Sequence, residues 1–302
     1  MAATSGEEPV KVAFYNVENL YDTVPSLFYD DGDYTPTGRL AWDGEKYRTK
    51  LDNLKKVVDE LSADVLGLAE VENEAVVRDL VGMLGDDYNY IHLTGSDRRG
   101  IDLALLYRGD RFVPLRTGLL PVGTTREVLH VEGELAGCGV HLLVCHLPSQ
   151  LSDERYRADA LSTLHSVADS LRLAAGHGRV VVMGDFNTAP SEKAMRRVFG
   201  SGGKHYDLSR PFYSPLEPLA RKGMGTYAYN GSWRLYDNIF LSTAFLAGDL
   251  RYSECGIFIR GWMLEQGERG RGAYPMRTFS GGRYLGGFSD HLPVWVEFTV
   301  AE

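Results

Sequence analysis

The stretch RVVVMGDFN, Arg179 to Asn187, is a short apolar run that ends in Gly-Asp and a carboxamide. A short apolar run without helical periodicity is typical of a buried strand. Ala63–Val71 has the same character, while Val10–Val17 alternates with a period of two and Gly139–Leu147 is also strand-like. The chain therefore predicts several strands, and polar residues stand where the buried ones end.

Amphipathic helices are predicted between these strands. Apolar residues recur at three- and four-residue spacing from Glu45 to about Leu61 and from about Asp153 to Ala174, and Asn73–Leu84 also reads as a helix. Further strand-like runs cover Ile101–Arg108 and Glu127–Leu135, and the last third is rich in strands. Without a linker or an internal repeat, this order favours one α/β domain with sheets packed inside helical layers. We expect residues 1–9 to be a flexible N-terminus and residues 10–302 to be a single catalytic domain.

Composition narrows the class of protein. The 302 residues are 44% hydrophobic, carry a formal net charge of −9 and include 3 cysteines. No apolar run reaches the roughly 18 residues needed to span a bilayer, and the cysteines are too few for a disulfide framework. An acidic chain argues against a broad basic face for nucleic acid. The N-terminus lacks the features of a signal peptide, which leaves open a cytoplasmic protein or one exported after a signal peptide has been removed.

Polar residues stand at the ends of the predicted strands. Alone, each has an ordinary explanation, such as a turn, a helix cap or a hydrogen-bonded core histidine. Together they are carboxylates, carboxamides and two histidines. Hard oxygen ligands suit Mg²⁺ or Mn²⁺ rather than zinc, and such an ion with two histidines is equipment for phosphoester hydrolysis. The residues are Asn16, Glu70, His146, Asp185, Asn187, Asp237, Asp290 and His291.

The order of seven motifs resembles the endonuclease/exonuclease/phosphatase superfamily. This group includes deoxyribonuclease-I-like nucleases, abasic-site endonucleases, neutral sphingomyelinases and inositol polyphosphate 5-phosphatases. The resemblance implies a four-layer α/β sandwich with two mixed β-sheets packed face to face and helices outside. The motifs, between residues 14 and 294, are FYNVEN, LAEVEN, RGIDLALLY, CHLPS, GDFNTAP, YDNIFLS and SDHLPV.

The resemblance also implies a role for each strand-end residue. Glu70 would be the main ligand of a Mg²⁺ or Mn²⁺ ion, with Asn16 and Asp290 near the ion. Many relatives have Gln where this chain has Ala69, directly before Glu70. That change removes no catalytic group.

The remaining strand-end residues would act on the water and the phosphate. Asp185 and Asn187 would orient or deprotonate the attacking water and contact the phosphate. His291 would be a general base or a phosphate contact, and Asp237 would orient a catalytic histidine. His146 would assist the leaving group.

Three further residues are candidate substrate contacts. Arg99 and Asp102 lie in the segment SDRRGID, which faces the substrate in the family, and Trp233 could stack on a base or ring. Packing under the sheet edge is an equal alternative for Trp233. We expect the glycines before Asp290 to let the backbone approach the site closely. The other histidines, which show no paired acid, are predicted to be structural: His92, His130, His141, His165, His177 and His205.

These observations predict a phosphoesterase that hydrolyses a phosphodiester with an activated water and a divalent metal. Nucleic acid is the leading substrate, and the scarcity of basic clusters predicts few phosphate contacts. A phosphatase or phospholipase acting on a lipid or inositol phosphate is the alternative, and a non-catalytic binding module is a remote one. We expect a monomer, and no protein partner is implied.

Overall fold

The computed structural model describes residues 8–200, 209–267 and 272–301. Residues 1–7 of the predicted flexible N-terminus, and His205, lie outside the described residues. The strands are β1 (Val10–Leu20), β2 (Val65–Val71), β3 (Tyr88–Leu93), β4 (Asp102–Arg108), β5 (Phe112–Leu120), β6 (Val128–Leu135), β7 (Cys138–His146), β8 (Val180–Asp185), β9 (Phe212–Tyr213), β10 (Tyr227–Tyr229), β11 (Ser232–Arg234), β12 (Asp237–Ser242), β13 (Leu250–Ile257), β14 (Leu264–Gln266), β15 (Ala273–Pro275), β16 (Phe279–Ser280), β17 (Arg283–Tyr284) and β18 (Val294–Val300). The helices are α1 (Gly44–Leu61), α2 (Glu74–Leu84), α3 (Glu154–Ala174), α4 (Lys193–Phe199) and α5 (Glu217–Arg221).

Two six-stranded sheets form the centre of the molecule. The first has the order β13-β18-β1-β2-β4-β3 and the second the order β5-β6-β7-β8-β12-β9. The pairs β1–β2 and β7–β8 are parallel, and their other neighbours are antiparallel, so both sheets are mixed. The sheets pack face to face through contacts of β1 and β2 with β7 and β8. The predicted α/β sandwich with two mixed sheets is confirmed.

The central strands of the second sheet are buried on both faces, which explains their continuous apolar runs. In β8, Val181 and Met183 belong to the core shared with the first sheet. Val180 and Val182, which alternate with them, pack in the cluster formed with α3 and α4. Because successive side chains of a strand point to opposite faces, a strand between two apolar layers has to be apolar at every position.

The helices form the outer layers and begin at polar caps. The side chains of Asp43, Asn73 and Asp153 each accept a hydrogen bond from the first turn of α1, α2 and α3, which satisfies backbone N–H groups that lack helical partners. Leu54 of α1 packs in the core shared by the sheets, and Leu164 of α3 packs against the second sheet. None of the described helices is long and apolar enough to cross a membrane.

Several strands were not predicted individually from the sequence: β3 and β5, and the short strands β9, β11 and β14 to β17. β3 and β5 are the outermost strands of their sheets at one edge. An edge strand is covered less completely, so its residues lack the apolar pattern that identifies a central strand, and most residues of β5 are at least partly exposed.

Candidate active site

Four polar side chains from the two sheets meet at one rim of the sandwich. Asn16 was expected at the end of the first strand, but β1 continues past it to Leu20 after an irregularity in the pairing. Asn16 and Glu70 come from the neighbouring strands β1 and β2, and His146 and Asp185 are paired in register at the ends of β7 and β8. The register of β1 shifts between Asn16 and Leu20, and the register of β2 shifts at Glu70. Such irregularities redirect side chains that would otherwise continue the alternation of a strand. They bring the polar groups to one rim of the sandwich.

Asn16 joins the two sheets. Its Nδ2 donates to Glu70 Oε1 at 3.3 Å and to Asp185 Oδ2 at 3.1 Å, while its Oδ1 accepts from the backbone N–H of Glu18 at 3.0 Å. With the oxygen held by Glu18, the amide presents N–H groups to the carboxylates. The predicted position of Asn16 beside the metal ligands therefore fits, but in this orientation it holds Glu70 rather than offering an oxygen to an ion.

The backbone around these groups is held in uncommon conformations. Glu18, Asn19, Glu70 and Asn187 have φ values of 54°, 51°, 66° and 46°. Residues other than glycine seldom adopt the left-handed region, and they cluster there at functional sites where the surroundings impose it. Here the backbone N–H of Asn19 donates to Glu70 Oε2 at 2.9 Å, and that of Asn187 donates to Asp185 Oδ1 at 2.8 Å. The strained segments thus orient both carboxylates.

Asp237 and His291 form a buried hydrogen-bonded pair. Asp237 lies opposite Asp185 in the sheet, and its Oδ2 is 2.6 Å from His291 Nδ1. The Oδ1 atom of Asp237 is buried without a hydrogen-bond partner among the described residues. His291 Nε2 lies 3.9 Å from both Asp185 Oδ2 and Asp290 Oδ1. A carboxylate on Nδ1 fixes the ring and leaves Nε2 as the atom that can exchange a proton with a substrate.

The two histidines of the site have opposite electrostatic environments. Burial, reinforced by the charges of Arg126 and Arg99, lowers the pKa of His146 well below its ordinary value. Burial opposes the charge of His291 too, but attraction to Asp237 and Asp185 raises the pKa of His291 well above its ordinary value. Two titratable groups of the same type that are pushed apart in pKa can serve as acid and base at one pH.

Asp185 is buried between these histidines. Burial raises the pKa of Asp185 to about 7; the charge of His291 opposes this shift and that of Asp237 adds to it. Its Oδ2 is 3.7 Å from His146 Nε2, which is also 3.5 Å from Glu70 Oε1. Carboxylates this close repel one another unless a cation is shared between them.

A cavity of about 700 Å³ opens over this cluster. Its lining includes Arg99 and Arg126, which are both within ion-pairing distance of Asp97. The predicted arginine therefore faces the site. Six of the eight predicted polar residues line the cavity: Glu70, His146, Asp185, Asn187, Asp290 and His291. The other two, Asn16 and Asp237, do not line it but hydrogen-bond to residues that do.

Asp102 and Trp233 do not line this cavity, contrary to the sequence expectation. Asp102 accepts from the backbone N–H of Gly95 at 2.8 Å and lies 3.0 Å from His92 Nε2, so it supports the loop that carries Arg99. His92, predicted to have no paired acid, therefore has one. Trp233 is the cross-strand partner of Ala228 and packs against the core. Cross-strand partners share one face of a hairpin, and this is the face opposite to the one that lines the cavity.

Several cavity residues were missed in the sequence. Tyr227 and Tyr229, interpreted only as strand residues, line the cavity together with Tyr236. Their alternation at positions 227 and 229 was the available signal, because such residues share one face of a strand. Arg126 stands alone before β6 without a motif, and Gln150 follows CHLPS, so neither carried a signal.

A buried cation supports the site from behind. Lys50, on α1, is 1% exposed; its Nζ donates to Thr278 Oγ1 at 2.8 Å and lies 3.8 Å from Glu18 Oε2. The backbone N–H of Thr278 also donates to Glu18 Oε2 at 2.6 Å. Gly287 permits this close packing, since a Cβ there would lie 2.1 Å from the carbonyl oxygen of Met276. The glycine segment thus packs closely against the backbone of Met276 and Arg277, and its close approach to the catalytic groups stays a prediction.

The donor set fits a hard divalent cation. Carboxylate oxygens of Glu70, Asp185 and Asp290 face one cavity, and Mg²⁺ and Mn²⁺ prefer such ligands. Ligand atoms of Asp185, Asp237 and His291 also lie within 4.8 Å of one another. Because the 2.6 Å contact already engages His291 Nδ1 with Asp237, we interpret those two residues as a hydrogen-bonded pair rather than as ligands.

The fold of this chain is similar to those of several solved structures. The chain resembles zebrafish (D. rerio) TDP2 complexed with single strand DNA product, at 18% identity and a TM-score of 0.62 over 97% of this chain and 100% of that one. It also resembles the human Nocturnin catalytic domain with bound sulfate, at 16% identity and 0.61 over 97% and 95%. A mannosyl-6-phosphatase from Bacteroides thetaiotaomicron gives 16% and 0.61 over 96% and 99%. These likenesses show the shared fold.

Comparison of the sequence decides the family. No curated protein gives a significant match. A model described as the Endonuclease/Exonuclease/phosphatase family, however, matches residues 11–300, which is nearly the whole chain. The chain therefore belongs to the endonuclease/exonuclease/phosphatase family of divalent-metal-dependent hydrolases that act on phosphoester bonds.

Proposed function

We propose that the chain is a Mg²⁺- or Mn²⁺-dependent phosphodiesterase that hydrolyses nucleic acid. The observation that carries this proposal is the meeting of Glu70, Asp185, His146 and the Asp237–His291 pair at one cavity. A bound divalent ion supplies positive charge that stabilises the phosphate in the transition state. Glu70 and Asp290 would hold it.

Each remaining side chain has a role in the displacement at phosphorus. Asp185 and Asn187 orient the attacking water or take up its proton. His291, with Nδ1 engaged by Asp237, presents Nε2 to a phosphate oxygen or to the same water. As the bond between phosphorus and the leaving oxygen breaks, His146, which its lowered pKa keeps neutral, assists that oxygen with a hydrogen bond from its ring N–H, and solvent water supplies the proton. No covalent intermediate with the protein is required.

Nucleic acid is the favoured substrate because arginine and tyrosine side chains line the cavity beside the carboxylates. Arginines such as Arg99 and Arg126 can bind phosphate oxygens, and tyrosine rings provide faces on which bases stack. The fold shared with zebrafish TDP2, whose structure holds a single strand DNA product, is consistent with this choice.

Hydrolysis of bis-p-nitrophenyl phosphate and p-nitrophenyl phosphate tests the proposal. The diester should be the better substrate with Mg²⁺ or Mn²⁺, and excess EDTA should abolish its hydrolysis until the metal is restored. Asp185→Asn protein serves as the control for contaminating activity. Preference for the monoester would support a phosphatase instead, and full activity in EDTA would remove the metal from the mechanism.

A further inference from the structure

A second cavity of about 300 Å³ adjoins the one that contains the catalytic acids. Tyr229 lines both cavities. Arg277 lines the second cavity, and its Nη2 lies 3.9 Å from Asp290 Oδ2, which faces the first. A ligand whose reacting phosphate lies in the first cavity could therefore extend into the second.

The chemistry of the second cavity suits a nucleotide. Two arginines, Arg277 and Arg283, line it in a chain whose formal net charge is −9, and arginine binds phosphate oxygens in a bidentate manner. Tyr229 and Tyr274 offer aromatic rings, and Tyr229 is 65% exposed. When ionised, Glu265 can accept hydrogen bonds but cannot donate them, so it suits a hydroxyl or amino group better than a second anion.

The position of Tyr229 is fixed by a tight turn. β10 and β11 form a hairpin through Asn230 and Gly231, which have φ values of 49° and 76°. Positive φ at both central residues is the geometry of the two-residue turn that matches the twist of paired strands. Tyr229 therefore stands between the two cavities on a defined hairpin.

We propose that the second cavity binds the nucleotide next to the scissile phosphate of a short single-stranded substrate. Arg277 and Arg283 contact the phosphate of that nucleotide, and Tyr229 and Tyr274 contact its base. Glu265 accepts a hydrogen bond from its sugar or base. This assignment rests on the proposed phosphodiesterase activity and deepens it, because it makes the neighbouring phosphate a determinant of substrate choice.

Kinetics on matched substrates test the assignment. The substrates are bis-p-nitrophenyl phosphate, the dinucleotide TpT, and TpT carrying a further phosphate at its 5′ or 3′ end. We expect one of the two phosphorylated forms to have about tenfold higher kcat/KM than TpT, as a charge-assisted contact would give. Arg283→Ala should remove that advantage and leave bis-p-nitrophenyl phosphate hydrolysis unchanged.

Arg251→Ala is the matched control. Arg251 is an exposed arginine in β13, opposite Thr299, and it does not line the second cavity. Its substitution therefore removes one positive charge from the protein without removing it from that cavity. The control should keep the preference for the phosphorylated dinucleotide. An equal loss on every substrate in Arg283→Ala, or no preference in the unaltered protein, would overturn the assignment.

Binding separates this proposal from the proposed function. If no diester were hydrolysed, the phosphodiesterase proposal would fail, but titration calorimetry with the phosphorylated dinucleotides in metal-free buffer would still test the second cavity. The phosphorylated form should then bind several-fold more tightly than TpT, and Arg283→Ala should abolish the difference. Absence of that difference, or tighter binding of ribose 5-phosphate than of the dinucleotide, would contradict the nucleotide assignment.

Discussion

The second sheet carries histidines at two places on the same strand, and only one of these places belongs to the candidate active site. His141 lies near one end of the interstrand pairing of β7 with β8, opposite Val180, and His146 lies at the other end, opposite Asp185. His141 Nδ1 is 3.0 Å from His130 Nε2, and its ring lies 5.5 Å from that of His177. This group is called the histidine cluster below.

The difference between the two places lies in their neighbours. Burial lowers the pKa of His130, His141 and His177, so the histidine cluster favours neutral rings. At the catalytic end, Asp237 and Asp185 raise the pKa of His291. Burial lowers the pKa of the histidines at both places, including His146, and only His291, which has Asp237 directly on its Nδ1, shows the opposite shift. A direct carboxylate partner beside an open cavity therefore distinguishes the candidate active site from the histidine cluster.

The largest expected effect comes from substituting one histidine at each place. General acid–base groups contribute about 10²–10⁴-fold, so His291→Ala should lower kcat by that order. His146→Ala should behave similarly, and Asp185→Asn should be at least as severe. His141→Gln, the matched substitution in the histidine cluster, should keep kcat within about twofold. Steady-state hydrolysis of the best diester gives kcat for all four variants. Near-normal turnover of His291→Ala would show that the Asp290–His291 segment has no catalytic role and is only a turn.

The affinity for a divalent metal should depend on Glu70, in the candidate active site, and not on Glu132, beside the histidine cluster. Glu70→Gln should weaken Mn²⁺ binding by about tenfold or more, because it removes a charged oxygen donor from the cavity. Glu132→Gln is the control, since Glu132 is the cross-strand neighbour of His141 and should not affect the ion. Titration calorimetry with Mn²⁺ is the measurement. Equal affinity in Glu70→Gln would exclude Glu70 as the main ligand.

Stability should depend on the buried cation behind the catalytic end. Lys50→Met would leave Glu18 without its ion pair, and breaking a buried pair costs about 3 kcal/mol or more of the free energy of unfolding. Part of this loss should be recovered in Lys50→Met/Glu18→Gln, in which no carboxylate remains unpaired. Lys55→Met, on the same helix with a more exposed partner in Asp59, should change stability by less than about 1 kcal/mol. Urea unfolding measures all three; equal effects of both lysines would contradict this account.

The smallest expected effect is on the pH dependence of stability. The pKa values of His130 and His141 are lower in the folded chain than in the unfolded chain, so their contribution is present above about pH 6.5 and is lost on acidification. Between pH 7.5 and pH 5.5, the free energy of unfolding should therefore fall further in the unaltered protein than in His130→Gln/His141→Gln. Parallel urea-unfolding curves for the two proteins would show that the cluster does not titrate in this range.

Local sequence patterns were sufficient for the elements that carry the site. The helix predicted from Glu45 to about Leu61 is α1, Gly44–Leu61, and the apolar run before Asn187 is β8, because periodicity and burial act on neighbouring residues. The eight polar residues at strand ends also stood out in the sequence, since each interrupts an apolar pattern. The structure brings all of them to one rim of the sandwich.

Tertiary packing decided which other residues face the substrate. Tyr229 and Trp233 are both aromatic residues of one hairpin, and they lie on its opposite faces. The face with Trp233 packs against the core, so Tyr229 lines the cavity and Trp233 does not. Arg126 and Lys50 gained their positions from contacts with Leu147 and Phe288, which are distant in the sequence. The sequence pattern of a helix or strand reflects which of its faces is buried, so it can be recognised from neighbouring residues. A cavity is lined by residues from several elements, and its lining therefore depends on how those elements pack together.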